Sequence, residues 1–273
     1  MTSSFESARS ATPGNRVACV IPAKNEEERI AAAVTAARAL PRVATVIVTD
    51  DGSSDATAQH ATAAGAIVVS HNRNRGKAAA IESGVNALGV LEERDHQPEA
   101  GVILLLDADL GESASGAAPL IEPVVAGEAA LTIGVLPAQT TADGEPAGGH
   151  GVVMNTARKG IAELCGFEAR APLSGQRCMT RRAFELASPL AAGFGIEVGM
   201  TIDVVRAGLT VREVDVDLRH RATGNDLAGQ MHRAKQLRDV TRALAARGLV
   251  TRATDELRSN PKVSGLLQRF RPR

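Results

Sequence analysis

The alternation of short apolar runs with helical patterns constrains the fold of this chain more than any other feature. Five apolar runs have the length and composition of buried strands, and they cover residues 17–21, 44–49, 66–70, 102–106 and 130–135. Helical patterns between them begin at Asn25, which suits the N-cap position, near Asp55 and near Lys77. We therefore expect an α/β fold in which a mostly parallel sheet carries helices on both faces.

The second half of the chain continues with fewer strand patterns. We predict helices over 152–164, 181–187, 197–207 and 226–246, a short segment around 174–180, and a strand over 210–218. The sequence contains no recognisable internal repeat.

Polar residues follow three of the predicted strands, at the edge where parallel sheets bind their ligands. The three segments are Pro22-Ala23-Lys24-Asn25-Glu26, Asp50-Asp51-Gly52-Ser53 and Asp107-Ala108-Asp109. A purely structural sheet has no need of acids at these positions. The pattern therefore predicts a ligand site at the carboxyl edge of the sheet.

Asp107 and Asp109 present two carboxylates one residue apart, directly after a buried strand. Hard cations such as Mg²⁺ and Mn²⁺ prefer oxygen ligands and share them with substrate phosphates. A cation held there could neutralise the diphosphate that leaves during sugar transfer. The alternative is that both acids are solvated or cap a helix.

Three further residues are candidates for ligand contacts. Asp51 could accept the N–H of a uracil, or it could serve only a turn and a helix cap. Lys77 follows Asn-Arg-Asn-Arg-Gly at a helix N-terminus, where an anionic nucleotide is favoured, although a solvated basic loop is the alternative. His220 follows the last strand and could supply a nitrogen ligand to the cation.

The composition argues against a nucleic-acid partner. The chain has 31 basic and 31 acidic residues, no Trp, no Tyr and five Phe. Modules that stack bases need aromatic side chains, and a chain without net charge has no overall field that points to nucleic acid.

Cysteine use and the N-terminal sequence favour a cytoplasmic protein. Cys19, Cys165 and Cys178 form no C-x-x-C pair, which favours a reducing compartment. Residues 1–15 lack the apolar segment of a signal peptide, and the longest apolar run is too short to cross a bilayer. Contact with a membrane surface stays open.

Four motifs in the first half resemble the nucleotide-binding half of GT-A-fold glycosyltransferases of the family 2 type. They are Val-Ile-Pro-Ala-Lys-Asn-Glu-Glu at 20–27, Asp-Asp-Gly-Ser-Ser-Asp-Ala-Thr at 50–57, Asn-Arg-Gly-Lys-Ala-Ala-Ala-Ile at 74–81 and Leu-Leu-Leu-Asp-Ala-Asp at 104–109. In the second half, the segments 173–177 and 193–199 and the pair His220-Arg221 resemble the glucosyl-3-phosphoglycerate synthases within that family.

This resemblance implies a Rossmann-like GT-A fold and a set of site residues. The residues that would hold UDP are Pro22, Ala23, Asn25, Glu26, Asp51, Lys77, Asp107 and Ala108. Asp109, Asp107 and His220 would hold Mg²⁺ or Mn²⁺. Asp109, Glu197 and Arg177 are the predicted catalytic group, in which Glu197 would orient the acceptor hydroxyl, line the donor sugar or only complement a helix dipole.

The chain departs from these relatives on the acceptor side. They carry Arg and Thr in a phosphate-binding loop, where this chain has Gly148-Gly149-His150-Gly151-Val152. They also carry Asn soon after the histidine, where this chain has Ala222-Thr223. We therefore predict a small anionic acceptor other than 3-phosphoglycerate, bound by His150, Arg177 and Arg221.

The expected organisation is one domain with appendages. It comprises a disordered N-terminus (1–15), a nucleotide-sugar-binding portion (16–135), a flexible loop (136–151), an acceptor-binding portion of the same domain (152–250) and a basic tail (251–273). The loop is rich in Gly and Pro, and we expect it to close over donor and acceptor.

The predicted activity is transfer of a hexose from a UDP-sugar, and glucose is the hexose that we expect. One alternative is a polyprenyl-phosphate glycosyltransferase that meets the membrane through the basic helix 227–247 and the tail. Others are a nucleotidyltransferase, although its Gly-rich phosphate loop is missing, and a non-catalytic sugar-nucleotide sensor. A homodimer stays open.

Overall fold

The computed structural model describes residues 16–137, 151–220 and 227–249, with the backbone alone described for 227–233. The N-terminal segment 1–15, most of the predicted loop, His150, Arg221 and the basic tail lie outside these ranges. The predictions made for them therefore stay predictions.

A seven-stranded sheet forms the centre of the molecule, in the order β3-β2-β1-β4-β6-β5-β7. The strands are β1 Val17–Ala23, β2 Val43–Asp50, β3 Ile67–Ser70, β4 Val102–Leu105, β5 Leu131–Val135, β6 Arg177–Thr180 and β7 Val211–Asp215. Only β6 runs against its neighbours, β4 and β5, while the other pairs are parallel. The prediction of a mostly parallel sheet is confirmed.

Helices cover the sheet and connect its strands. They are α1 Ile30–Ala39, α2 Thr57–Ala63, α3 Lys77–Arg94, α4 Ala118–Val125, α5 Val152–Cys165, α6 Arg181–Ala187, α7 Ile196–Arg206 and α8 Leu227–Ala246, with 3-10 helices at Ala108–Ala117 and Gly193–Gly195. Within the described ranges no helix is long and apolar enough to cross a membrane.

The core lies in layers on the two faces of the sheet, because side chains alternate along each strand. Cys19 and Leu104 point to the face that packs on Ile30 of α1. Val20 and Ile103, which are their chain neighbours, point to the other face. The strands β1 and β4 are thus buried on both faces, which explains their unbroken apolar runs.

The N-cap predicted at Asn25 is wrong, because α1 begins five residues later, at Ile30. Asn25 has a φ of +54°, and its side-chain oxygen accepts the N–H of Ser54 at 2.9 Å. Glu27, expected in the first turn, accepts the N–H of Ala56 at 2.9 Å. The two side chains hydrogen-bond the loop after β1 to the loop after β2, and therefore they do not cap α1.

The strand β6 brings its amino end to the carboxyl edge of the sheet, because it is antiparallel to its neighbours. Arg177 lies opposite Leu105 of β4 and Ile133 of β5. The residues just before β6 therefore join the loops that follow β1, β2 and β4.

Candidate active site

Asp107, Asp109 and His220 converge at the carboxyl edge of the sheet. Asp107 and Asp109 flank the start of the 3-10 helix after β4, and His220 follows β7. One ligand atom from each lies within 4.8 Å of the others, and His220 Nδ1 is 3.1 Å from Asp109 Oδ1. Two carboxylates and an imidazole form a donor set that fits Mg²⁺ or Mn²⁺.

The carboxylates of Asp107 and Asp109 raise the pKa of His220. Burial alone would lower the pKa of His220, but its hydrogen bond to Asp109 and the charges of both carboxylates raise it above its ordinary value. A cation that binds His220 must displace any proton there, so the site favours metal more strongly as the pH rises.

Lys77 links this group to the second half of the chain. Its Nζ lies 2.8 Å from Asp107 Oδ1 and 3.0 Å from Glu197 Oε1. Burial would lower the pKa of Lys77, but the two carboxylates raise it well above its usual range. The ammonium group is therefore charged, and it stands beside the candidate metal ligands.

Two residues that the sequence did not single out complete this arrangement. Gln176, with no exposed surface, donates from Nε2 to Asp107 Oδ2 at 2.6 Å and accepts the Asp107 N–H at 3.0 Å. At Gly175, a Cβ would lie 2.7 Å from both Asp107 Oδ2 and Lys77 Nζ. The only signal was their place in the segment 173–177, since their partners lie far away in sequence.

Asp51 is almost fully engaged by the protein. Its Oδ1 accepts from His71 Nδ1 at 2.7 Å and from the N–H of Arg75 at 2.7 Å, and its Oδ2 accepts the N–H of Gly76 at 2.7 Å. Burial would raise the pKa of Asp51, but these hydrogen bonds and the nearby imidazole lower it. Asp51 is thus an anion that fixes the backbone just before Lys77.

The other predicted nucleotide contacts line the same edge. Pro22 and Ala23 end β1, and the Ala23 carbonyl accepts the N–H of Asp51 at 2.8 Å. The Asn25 N–H donates to Ser53 Oγ and that of Glu26 to Thr57 Oγ1. Ala108 is buried between the two site aspartates.

Arg177 lies beneath this surface, with 1% of the residue exposed. Nε donates to the Ser174 carbonyl at 2.8 Å and Nη1 to Thr201 Oγ1 at 3.0 Å, and Thr201 in turn donates to the Glu197 carbonyl at 2.8 Å. Nη2 has no hydrogen-bond partner among the described residues. Burial lowers the pKa of Arg177 to about 10.

A cavity of about 880 Å³ opens beside His220. Leu136, Met154 and Leu173 are among the apolar residues that line it, and Arg158, Glu168 and Arg170 are charged residues of its lining. Its place between the candidate metal ligands and α5 suits a second substrate.

The fold and this edge define a class of protein: a Rossmann-like enzyme that handles a nucleotide at the ends of parallel strands beside an acidic cluster. Residues 18–184 match the glycosyl transferase family 2 domain. The chain belongs to this family.

Two curated relatives support this assignment. Glycosyltransferase AglJ from Haloferax volcanii is 31% identical over 216 residues, covering 76% of this chain and 65% of that protein. The chain thus spans less than two thirds of the length of AglJ. Glucosyl-3-phosphoglycerate synthase from Mycolicibacterium smegmatis is 30% identical over 242 residues, covering 77% of this chain and 72% of that protein.

Solved structures share the fold, which confirms the predicted GT-A architecture. Glucosyl-3-phosphoglycerate synthase from Mycobacterium tuberculosis, in complex with Mn²⁺, UDP and phosphoglyceric acid, matches with a TM-score of 0.67 and 28% identity, covering 86% of this chain and 78% of that one. The complex of that enzyme with Mg²⁺ and UDP matches with a TM-score of 0.64.

Proposed function

We propose that this chain is a glycosyltransferase that transfers a hexose, taken as glucose, from a UDP-sugar to a small anionic acceptor. Mg²⁺ or Mn²⁺ would be held by Asp107, Asp109 and His220. The convergence of these three side chains from two distant parts of the chain carries the proposal. The complexes of the mycobacterial synthase with UDP and Mn²⁺ or Mg²⁺ support it.

The bound cation would neutralise charge on the diphosphate as the sugar leaves. Lys77 would add a second positive charge beside it, because its ammonium group already stands next to Asp107. Glu197 is held by Lys77 at the first turn of α7 and would orient the acceptor hydroxyl. Gln176 would keep Asp107 in place through its two hydrogen bonds.

Asp51 would read the base of the nucleotide. Each carboxylate oxygen can accept two hydrogen bonds. Among the described residues, Asp51 Oδ2 accepts only the N–H of Gly76, so it can accept one more hydrogen bond. The N3–H of uracil would donate that hydrogen bond. Pro22, Ala23, Asn25, Glu26 and Ala108 would shape the surface around the nucleotide.

The acceptor would occupy the cavity beside His220. Arg158 and Arg170 line that cavity together with Glu168, and Arg158 would supply positive charge for a phosphate or carboxylate, since Arg170 is paired with Asp215. Arg177, which we expected to contact the acceptor, is buried and instead donates to Thr201 of α7, whose hydroxyl donates to the Glu197 carbonyl. We assign Arg177 a positioning role for Glu197 rather than contact with the acceptor.

The test combines binding and turnover. UDP-glucose with Mn²⁺ should raise the melting temperature, since a ligand at about 100 times its Kd adds about 2.7 kcal/mol of stability. Transfer should then be sought with a panel of small phosphates, carboxylates and neutral sugars.

Asp109→Asn should lower transfer by at least about 100-fold, the loss of one charge-stabilising group, with an unchanged fold. Glu122→Gln is the matched control, because that side chain is 70% exposed on α4. Full transfer in EDTA or by Asp109→Asn would contradict the metal site. A best acceptor without charge would contradict the anionic acceptor.

A further inference from the structure

His71 carries a role that the nucleotide and metal contacts do not cover. It directly follows β3, and 6% of its side chain is exposed. Its Nδ1 lies 2.7 Å from Asp51 Oδ1 and its Nε2 lies 3.0 Å from Ser83 Oγ on α3. Both ring nitrogens thus have partners, and the ring orientation is fixed by two separate elements.

The direction of these hydrogen bonds follows from the charge of Asp51. An ionised carboxylate can only accept, so His71 Nδ1 carries the hydrogen and donates it. In the neutral ring Nε2 is then the acceptor, and the Ser83 hydroxyl donates to it. The chain of donors runs from Ser83 through His71 to Asp51.

Hydrogen bonds from His71 and Arg75 occupy one of the two carboxylate oxygens of Asp51. Oδ1 accepts from His71 Nδ1 and from the N–H of Arg75, which uses both of its lone pairs. Oδ2 accepts from Gly76 and keeps one position among the described residues. Asp51 can therefore take one further donor, and only on Oδ2.

We propose that His71 is a specificity-determining residue that limits Asp51 to a nucleobase with a single N–H, such as uracil, and disfavours guanine. Guanine offers N1–H together with its amino group and satisfies both only when a carboxylate has one free position on each oxygen. With Oδ1 filled, the amino group loses its hydrogen bond when it leaves water. The inference rests on the proposed function, in which Asp51 reads the base.

The experiment compares UDP, GDP and inosine diphosphate by calorimetry with Mn²⁺. Inosine diphosphate has the ring size of GDP and the N1–H but no amino group. The wild type should bind GDP about tenfold more weakly than inosine diphosphate, the cost of one lost hydrogen bond to a charged group. Equal affinities of the wild type for these two nucleotides would overturn the proposal.

Two variants separate specificity from packing. His71→Ala removes the donor and opens the space in front of Oδ1, so the GDP disadvantage should shrink about tenfold. His71→Asn is the matched control, because its amide can still donate to Oδ1, and the ratio should stay within about twofold of the wild type. An unchanged ratio in folded His71→Ala, or loss of purine binding with unchanged UDP affinity, would overturn the role.

The failures are distinguishable. One outcome is that UDP binds, that Asp51→Asn weakens UDP binding, and that the variants of His71 leave the ratio of GDP to inosine diphosphate affinity unchanged. In that case only the role of His71 fails. If UDP does not bind, or Asp51→Asn leaves its affinity unchanged, the assignment of Asp51 to the base fails together with the inference. If His71→Ala does not fold, the wild-type comparison of the two purine nucleotides decides.

Discussion

At the scale of single residues, Asp51 shows how one side chain can serve both the fold and a ligand. Its carboxylate pairs the backbone N–H groups of Arg75 and Gly76, which lead into α3, and it anchors His71. An unpaired buried N–H costs free energy, so the contacts that hold the loop also stabilise the domain.

Asp51→Ala should therefore lower the free energy of unfolding by about 1–3 kcal/mol at pH 7. The lowered pKa of Asp51 means that its contribution is complete above the ordinary pKa of 3.8 and is lost as the pH falls through the lower, folded-state pKa. Urea unfolding from pH 7 to pH 2.5 should show a smaller acid loss in the variant. Equal acid sensitivity of both proteins would contradict this role.

Arg177 is a second residue whose contacts can be tested singly. Its charge is buried without an ion-pair partner among the described residues. Arg177→Met keeps similar volume and removes that charge, so we expect stability to change by less than about 1 kcal/mol or to rise. We expect kcat to fall, because Thr201 loses the donor that fixes it beneath Glu197, while the Kd for UDP stays unchanged. Normal kcat in the variant would rule out the positioning role.

At the scale of elements, α3 is the structure that places Lys77. The helix packs so closely on the sheet that a Cβ at Gly84 would lie 2.6 Å from Val20 Cγ1 and 2.8 Å from Thr49 Oγ1. Gly84 therefore sets the distance between α3 and strands β1 and β2. A shift of the helix would move Lys77 away from Asp107.

Gly84→Ala should destabilise the protein by about 1–3 kcal/mol, the usual cost of overpacking a core, and lower transfer as well. Gly89→Ala is the matched control in the same helix, where a Cβ meets no atom beyond the helix's own backbone within 4 Å. That change should stabilise the protein by about 0.5–1 kcal/mol because alanine favours a helix. Thermal unfolding of both variants checks this, and equal effects would contradict it.

At the scale of the whole molecule, the two halves of the chain share one sheet. β6, from the second half, lies between β4 and β5 of the first, and β7 pairs with the other side of β5. Lys77 and Glu197 join the halves again at the site, across 120 residues of sequence. The sheet of the first half is thus completed by strands of the second half.

A fragment ending at residue 136 should not fold, because β5 would keep no strand partner and β4 would lose one side. We expect the fragment to unfold without a cooperative transition, and the full chain to unfold in a single one. Circular dichroism during urea titration measures both. A fragment with a cooperative transition and full UDP affinity would show that the halves fold independently.

The sequence by itself determined most of the first half of the fold. The runs at 17–21 and 102–106 were recognisable because strands buried on both faces must be apolar throughout. The acids at 107 and 109 were recognisable because they follow such a strand directly. These are local patterns, in which each residue's role depends on its close neighbours in the chain.

Only the tertiary structure decided the antiparallel direction of β6, the use of Asn25 in a loop contact, and the partners of Gln176 and His71. Each depends on groups that are distant in sequence and meet only after the sheet has formed. A buried polar side chain must find a partner, but its sequence does not say which of many distant donors and acceptors will supply it. The site could therefore be located from the sequence, while its hydrogen-bond network required the fold.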